Sequence, residues 1–401
     1  MQGVEELYLW LAVGLVLSSH LTLTANSSLP LLLFAGMLLG ARQSLRQQCQ
    51  ALGPGLYFIV AALLLGICLS VLPGKSAKGL YDALRGGLVL FPLAYLVSLR
   101  EKELWIRLKI GFWIAAAIFC GYFLVGLTQG PVYLQREYFH QAFGNVHTYA
   151  TGLGLLFAIA IVVGFFDRQA SLFQRGLCLL LAVTVVVVSW HLISRGTVLA
   201  MGLALLAVGC LRFRILRWLV AGVAVMGLIA SAWVVLSGQW QGWLPDASTS
   251  DVSSGRLAIY AASLSGWWSE ARWFGFGINT FKFLDHGHVF GERFAMPHSI
   301  YVELLISLGL CGSILMLAGV GLVVRKVCRL IDCLDKTVIL GFALMAYVLG
   351  RGLVDLKLWS FSFAAMLLAG AGMVLGKALT QGSGLAPAEA RTALFSQKGI
   401  S

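Results

Sequence analysis

Apolar runs of about twenty residues, parted by short polar clusters, recur along nearly the whole chain. About 20 apolar residues cross a bilayer core. That measure predicts twelve spans, over roughly 5–24, 28–41, 55–72, 80–99, 105–127, 147–166, 174–192, 195–211, 215–236, 298–324, 337–354 and 358–376. The second is short, and tight turns join the pairs around residues 193 and 356. The rhythm breaks once at length, over 237–297, where Trp, Gly, Ser and Asp replace the apolar run. Within that segment "LAIYAASLSGWWSEARW" reads as amphipathic. Its Trp240, Trp243, Trp267, Trp268 and Trp273 suit a segment lying along the headgroup boundary. The expected fold class is an all-α polytopic membrane protein. A single transmembrane domain would occupy 1–401, with 237–297 inserted as a loop with interfacial helices between the ninth and tenth spans.

Composition agrees, with 59% hydrophobic and 11% charged residues, about half the charge of a soluble domain. The net charge of +12 would suggest nucleic acid in a soluble protein. In a membrane protein it reflects the Lys and Arg that collect in cytoplasmic loops, so no nucleic-acid partner is expected. With the N-terminus inside, eighteen of the 29 basic residues fall in cytoplasmic segments and eleven outside. Both termini are then cytoplasmic and 237–297 is external. Glu5 and Glu6 precede the first apolar run with no small-residue cleavage site, which reads as a first helix rather than a removed signal. The eight cysteines show neither a disulfide framework nor zinc-like spacing. No metal ligands and no cofactor are expected.

A transporter should carry ionisable residues near the middle of several spans. Here they gather at the predicted outer ends, as Asn145, His147, His191, Arg195, Arg256, His298, Arg351 and Asp355. Such a site suits a substrate with its polar head at the interface and its tail in lipid. "SRGTVLA" puts Arg195 and Leu199 on one helix face, where a lone arginine could also just reach for headgroups. "SSGR" sets Arg256 after a turn and before a helical pattern, a place that attracts anions or merely caps a surface helix. "GNVHTYA" offers Asn145 as an N-cap. In "MPHSIYVELLISLGLCG", Pro297 and His298 read as a helix start. Gly309 and Gly312 fall near the same face as His298, where they would let a neighbouring helix approach closely. "GFGINTF" lacks the preceding strand of a nucleotide loop and reads as a tight turn.

Taken in order, "GNVHTYA" (144–150), "SRGTVL" (194–199), "SSGR" (253–256), "GFGINTF" (275–281) and "HSIYVELLISLGLCG" (298–312) resemble the O-antigen ligase and polymerase superfamily, most of all the ligases. His298-Ser299 with Gly309 and Gly312 is similar to the ligase pattern, and Arg195 with Leu199 to its Arg-x-x-x-Leu element. His147 stands where relatives often carry an asparagine. The resemblance implies a metal-independent, GT-C-like glycosyltransferase of the Gram-negative inner membrane, its active site facing the periplasm. The implied donor is O-antigen on undecaprenyl diphosphate, and the acceptor a sugar hydroxyl of lipid A-core oligosaccharide. Arg195 and Arg256 would hold the diphosphate, with Arg136 and Lys75 as further candidates, and Asn145 and Ser299 would contact substrate. His298 would act as general base or only orient a substrate, with Glu303 as the runner-up base. Leu199, Gly309 and Gly312 would be structural. An O-antigen polymerase, a protein O-oligosaccharyltransferase and a transporter of lipid-linked glycans are the other readings.

Overall fold

A computed structural model describes residues 2–21, 24–192, 194–213, 256–284, 296–354 and 356–382, with the short stretches 215–216, 288–289 and 292–293 and residue 226. The predicted span 215–236, most of the first half of the 237–297 segment, and Asp355 lie outside these residues. The described helices are α1 Gln2–Ser18, α2 Thr24–Gly40, α3 Arg42–Leu52, α4 Gly55–Cys68, α5 Pro73–Gly87, α6 Leu90–Leu127, α7 Val132–Phe143 and α8 Val146–Phe165. They continue with α9 Leu172–His191, α10 Arg195–Arg212, α11 Arg256–Gly266, α12 Ile300–Cys328, α13 Lys336–Arg351 and α14 Phe361–Gly382. A π turn, Trp267–Ala271, extends α11, and a 3-10 turn covers Phe281–Phe283. The strands among the described residues are a two-residue hairpin, β1 His288–Val289 against β2 Glu292–Arg293.

Among the described residues six helices are long and apolar enough to cross a membrane, or seven if the bent pair Ser27–Leu39 and Arg42–Leu52 counts as one. The fold is therefore helical and of membrane type. Several predicted spans take a different form. α3 turns by 109° from α2 and buries Ser44, Gln48 and Leu52, so it does not prolong a span. α4 has only 14 residues, about 21 Å at 1.5 Å per residue. The predicted span 80–99 is divided between polar α5 and the start of α6, and α6 itself breaks at Arg100. The local cause is visible in "SLREKEL": four consecutive ionisable residues, Arg100 to Glu103, cannot continue an apolar core.

α8 lies at the centre, with 89% of its apolar window buried; a helix that is hydrophobic all round has no solvent face. Small residues let other helices close on one another. A Cβ at Gly341 of α13 would stand 2.6 Å from the Gly370 carbonyl oxygen of α14, and one at Gly55 of α4 would stand 2.5 Å from that of Gly319 in α12. At one end of the bundle ion pairs tie several loops together. Arg100 pairs with Glu5 and Glu103, Arg107 with Glu6, and Lys377 with Glu101 and Asp335. Asp167 is bonded by Lys109 at 3.0 Å and Lys336 at 3.1 Å. These are the basic clusters that the charge count assigns to one side of the membrane.

α12 is not one continuous helix. Gly309 adopts φ +66° and ψ −174°, and the segment that follows α11 enters the break. Leu310 and Cys311 donate their N–H groups to the carbonyls of Arg272 and Trp273 at 2.8 and 3.0 Å. Phe276 and Gly277 donate in return to Ile306 and Ser307, at 2.8 and 3.0 Å. Irregular backbone at membrane depth survives only where protein satisfies its polar groups, and this exchange does so. α4 stops beneath the same segment: Val71 N–H and the Ser70 hydroxyl both bond the Phe276 carbonyl, at 3.2 and 3.1 Å.

Candidate functional site

The opposite ends of α8, α10, α12 and α13 carry the polar residues singled out in the sequence. Asn145 caps α8, its side chain accepting the His147 N–H at 2.8 Å. One turn on, the Thr151 carbonyl accepts the Tyr347 hydroxyl of α13 at 3.1 Å. α13 ends one further turn along, at Arg351. That arginine is only 1% exposed. Its Nη1 lies where Gly196 of α10 leaves room, 2.6 Å from where a Cβ would be. Any side chain at 196 would displace the guanidinium, which is why glycine follows Arg195.

Arg195 and Leu199 share an exposed face of α10. Leu199 is 47% exposed, so it is not the packing residue that its motif suggests. Gly196, Thr197 and Ala200 make the buried contact instead.

The start of α12 is stitched to the end of α13, where Ile300 N–H donates to the Gly352 carbonyl at 2.9 Å and the Tyr301 hydroxyl to Leu349 at 3.2 Å. Tyr260 of α11 joins both, its hydroxyl reaching the carbonyls of His298 at 3.2 Å and Leu353 at 3.1 Å. Arg256 lies one turn before Tyr260 on α11 and is half-buried. The four elements bearing Arg195, Arg256, His298 and Arg351 thus converge at one end of the bundle.

The structure corrects the reading of His298. The helix begins at Ile300, with Ser299 in the cap position but no side-chain cap bond. His298 precedes it in a left-handed conformation, φ +56°. Such backbone costs energy in a non-glycine residue and is concentrated at functional sites. Ser299 is 4% exposed, so its surface is covered rather than offered to a substrate. The Gly309 break also ends the shared face with His298. Gly309 accommodates a backbone crossing, whereas a Cβ at Gly312 would chiefly meet Leu308 of its own helix, at 2.8 Å. Glu303 is 1% exposed and accepts the Leu358 N–H at 2.6 Å, a clamp between α12 and the link to α14.

Two further candidates lie on other elements. Arg136 is on α7, which docks through the Gln135 side chain bonded to His191 at 3.0 Å. Lys75 begins α5 and lies 5.1 Å from the centre of the Phe283 ring. Arg351 and Tyr260 are the residues that motif reading passed over. The signal for Arg351 was a charged residue at the end of an apolar helix, flanked by glycines in "LGRGL"; burial there is expensive and implies a purpose. Tyr260 left no signal, since a tyrosine in an amphipathic helix is unremarked. Among the described residues no group of three or more His, Cys, Asp or Glu is placed to hold a metal.

A bundle of apolar helices with arginines and a histidine brought to one end defines a helical protein of membrane type with a cationic cluster at that end. Residues 177–317 match the family model described as O-Antigen ligase, which supports placing the chain in the O-antigen ligase superfamily. The match contains Arg195, Arg256, His298 and Gly309, while Asn145, Arg136, Lys75 and Arg351 fall outside it. No curated protein and no solved structure matches the chain.

Proposed function

We propose that the protein is an O-antigen ligase. It would transfer O-antigen polysaccharide from undecaprenyl diphosphate to a sugar hydroxyl of lipid A-core, at the periplasmic face of the inner membrane. The observation that carries this reading is the convergence of Arg195, Arg256, Arg351 and His298 from four segments. A diphosphate leaving group needs its developing charge stabilised, and a guanidinium fork binds phosphate oxygens in a bidentate way. Arg195 and Arg256, half-buried or exposed, take that contact. Buried Arg351 adds positive charge from behind and holds the start of α10.

In the reaction the acceptor oxygen bonds the anomeric carbon as the bond to the diphosphate oxygen breaks. Its electron pair leaves with undecaprenyl diphosphate, and the hydroxyl proton passes to the His298 imidazole. One displacement inverts the anomeric configuration. A general base contributes roughly 10²–10⁴-fold, and no metal ion takes part, so transfer should persist in excess EDTA.

Two experiments test the reading. Lipopolysaccharide from a deletion strain should show bare lipid A-core while long glycans stay on the lipid carrier. Core bearing a single repeat would assign the chain to the polymerases instead. In purified protein, Arg195→Ala and Arg256→Ala should abolish transfer, with little recovery in Arg→Lys. His298→Gln should bind donor but not transfer; near-normal transfer by it would leave His298 a positioning residue.

A further inference from the structure

Beyond Arg351, the link between α13 and α14 carries Lys357, half-buried. Lys282 on the 3-10 turn and Lys75 in the first turn of α5 bring their ammonium groups within 4.9 and 5.1 Å of the same ring centre, that of Phe283. Lys357 is close enough to sense Lys282. Burial first, and then that neighbour, hold its pKa below the ordinary lysine value, against the opposing pull of Glu303 and Asp82. Lys75 and Lys282, from two segments of the chain, therefore share one aromatic ring, and Lys357 on a third lies near enough to Lys282 for the two charges to repel.

The carboxylates that approach this corner are already engaged. Asp82 is paired with Arg85 at 3.2 Å, and Glu303 is buried on the Leu358 N–H. Among the described residues no ion pair reaches Lys75, Lys282 or Lys357. The framework beneath is tight: Ser70 and Ser76 hydroxyls are 2.6 Å apart, and Gly79 of α5 leaves room for Asn279. Ammonium groups drawn onto an aromatic face are held in place. Like charges gathered without counter-ions raise the local potential and attract an anion.

We propose that Lys75, Lys282 and Lys357 form a binding site for a phosphate ester, separate from the arginine cluster, which holds a phosphorylated lipid or saccharide while transfer takes place. The inference rests on the transferase reading above, and it removes Lys75 from the diphosphate contacts. Six residues of chain span at most about 20–22 Å, so Lys357 lies within that distance of Arg351.

The test is binding rather than turnover, so it does not depend on the reaction. Full-length protein in phosphatidylcholine nanodiscs would be titrated with fluorescent lipid A-core, native or phosphatase-treated. The triple variant Lys75→Gln/Lys282→Gln/Lys357→Gln should bind the native glycolipid roughly tenfold more weakly or worse, and the triple Lys→Arg variant should keep most of the affinity. Lys282→Gln alone, at an exposed position, should show part of the loss if the triple variant folds poorly. Wild-type binding should fall with the phosphatase-treated probe. If phosphatidylglycerol nanodiscs compete the probe away, the phosphate ester is a membrane headgroup; if they do not, it belongs to the glycolipid. Equal binding of native and treated probe by wild type and variants would overturn the proposal. Donor binding by Arg195→Ala, measured alongside, tests the ligase reading separately.

Discussion

Replacing Gly309 by alanine separates two accounts of the paired glycines in α12. At φ +66° and ψ −174° the residue occupies backbone space that is nearly exclusive to glycine, at a cost of about 1–3 kcal/mol for alanine. The new Cβ would overlap the Trp273 carbonyl and the Phe274 nitrogen. Those are backbone atoms, so no rotamer change relieves the overlap. Either the crossing segment withdraws or the helix end moves. The bonds nearest the break, Leu310 to Arg272 and Cys311 to Trp273, would then weaken, at about 0.5–1.5 kcal/mol each. The expected total is about 2–6 kcal/mol, a large part of a typical folding free energy. Gly312→Ala meets mainly Leu308 of its own helix, and Gly321→Ala meets nothing within 4 Å; the latter should be neutral or gain up to about 1 kcal/mol of helix propensity. Thermal unfolding of the three detergent-purified variants should rank them with Gly309→Ala far below the others. Equal losses at 309 and 312 would refute the crossing and return both glycines to an ordinary helix contact.

Asp167→Asn should cost about 2–4 kcal/mol, because its fully buried carboxylate bridges two lysines. Burial raises that carboxyl's pKa, but bonds from Lys109, Lys336 and the Gln169 N–H together bring it below the ordinary value. The folded value thus lies under the unfolded one of about 3.9, and the stabilisation is complete above that pH and lost only as pH falls through the folded value. The difference in unfolding temperature between wild type and Asp167→Asn should be constant from about pH 5 to 8 and shrink below about pH 4; a gap that closes as pH rises would contradict it. Tyr260→Phe removes the hydroxyl shared by His298 and Leu353, and should lower transfer about tenfold with little change in melting temperature. Unchanged kinetics would show that α11 is held by other contacts. For topology, alkaline phosphatase fused near Ser250 should be active and fused near Cys333 inactive, and the reverse would invert the orientation.

Hydrophobic period and charge, both local properties, were enough to establish a helical membrane protein, since a bilayer demands long apolar runs and every such run is visible in a window of twenty residues. They also marked which polar residues lie at helix ends, because insertion sorts basic residues and capping uses short-range bonds, as at Asn145. The ordered motifs pointed to the superfamily. Local pattern could not reveal that Gly309 opens α12 to a strand of backbone from Arg272–Gly277, since positive φ and a crossing segment leave no periodicity. It paired Gly309 with Gly312 and placed His298 inside a helix that begins two residues later. Arg351 stood in the sequence as one polar helix end among several, and only packing against Gly196 showed it to be buried. The lysine corner depends on residues 75 and 282 meeting around the Phe283 ring, with Lys357 near enough to sense Lys282. Segments that far apart in sequence are brought together by the closing of the whole bundle, where the cost of unsatisfied backbone and unpaired charge in lipid is weighed over all contacts at once.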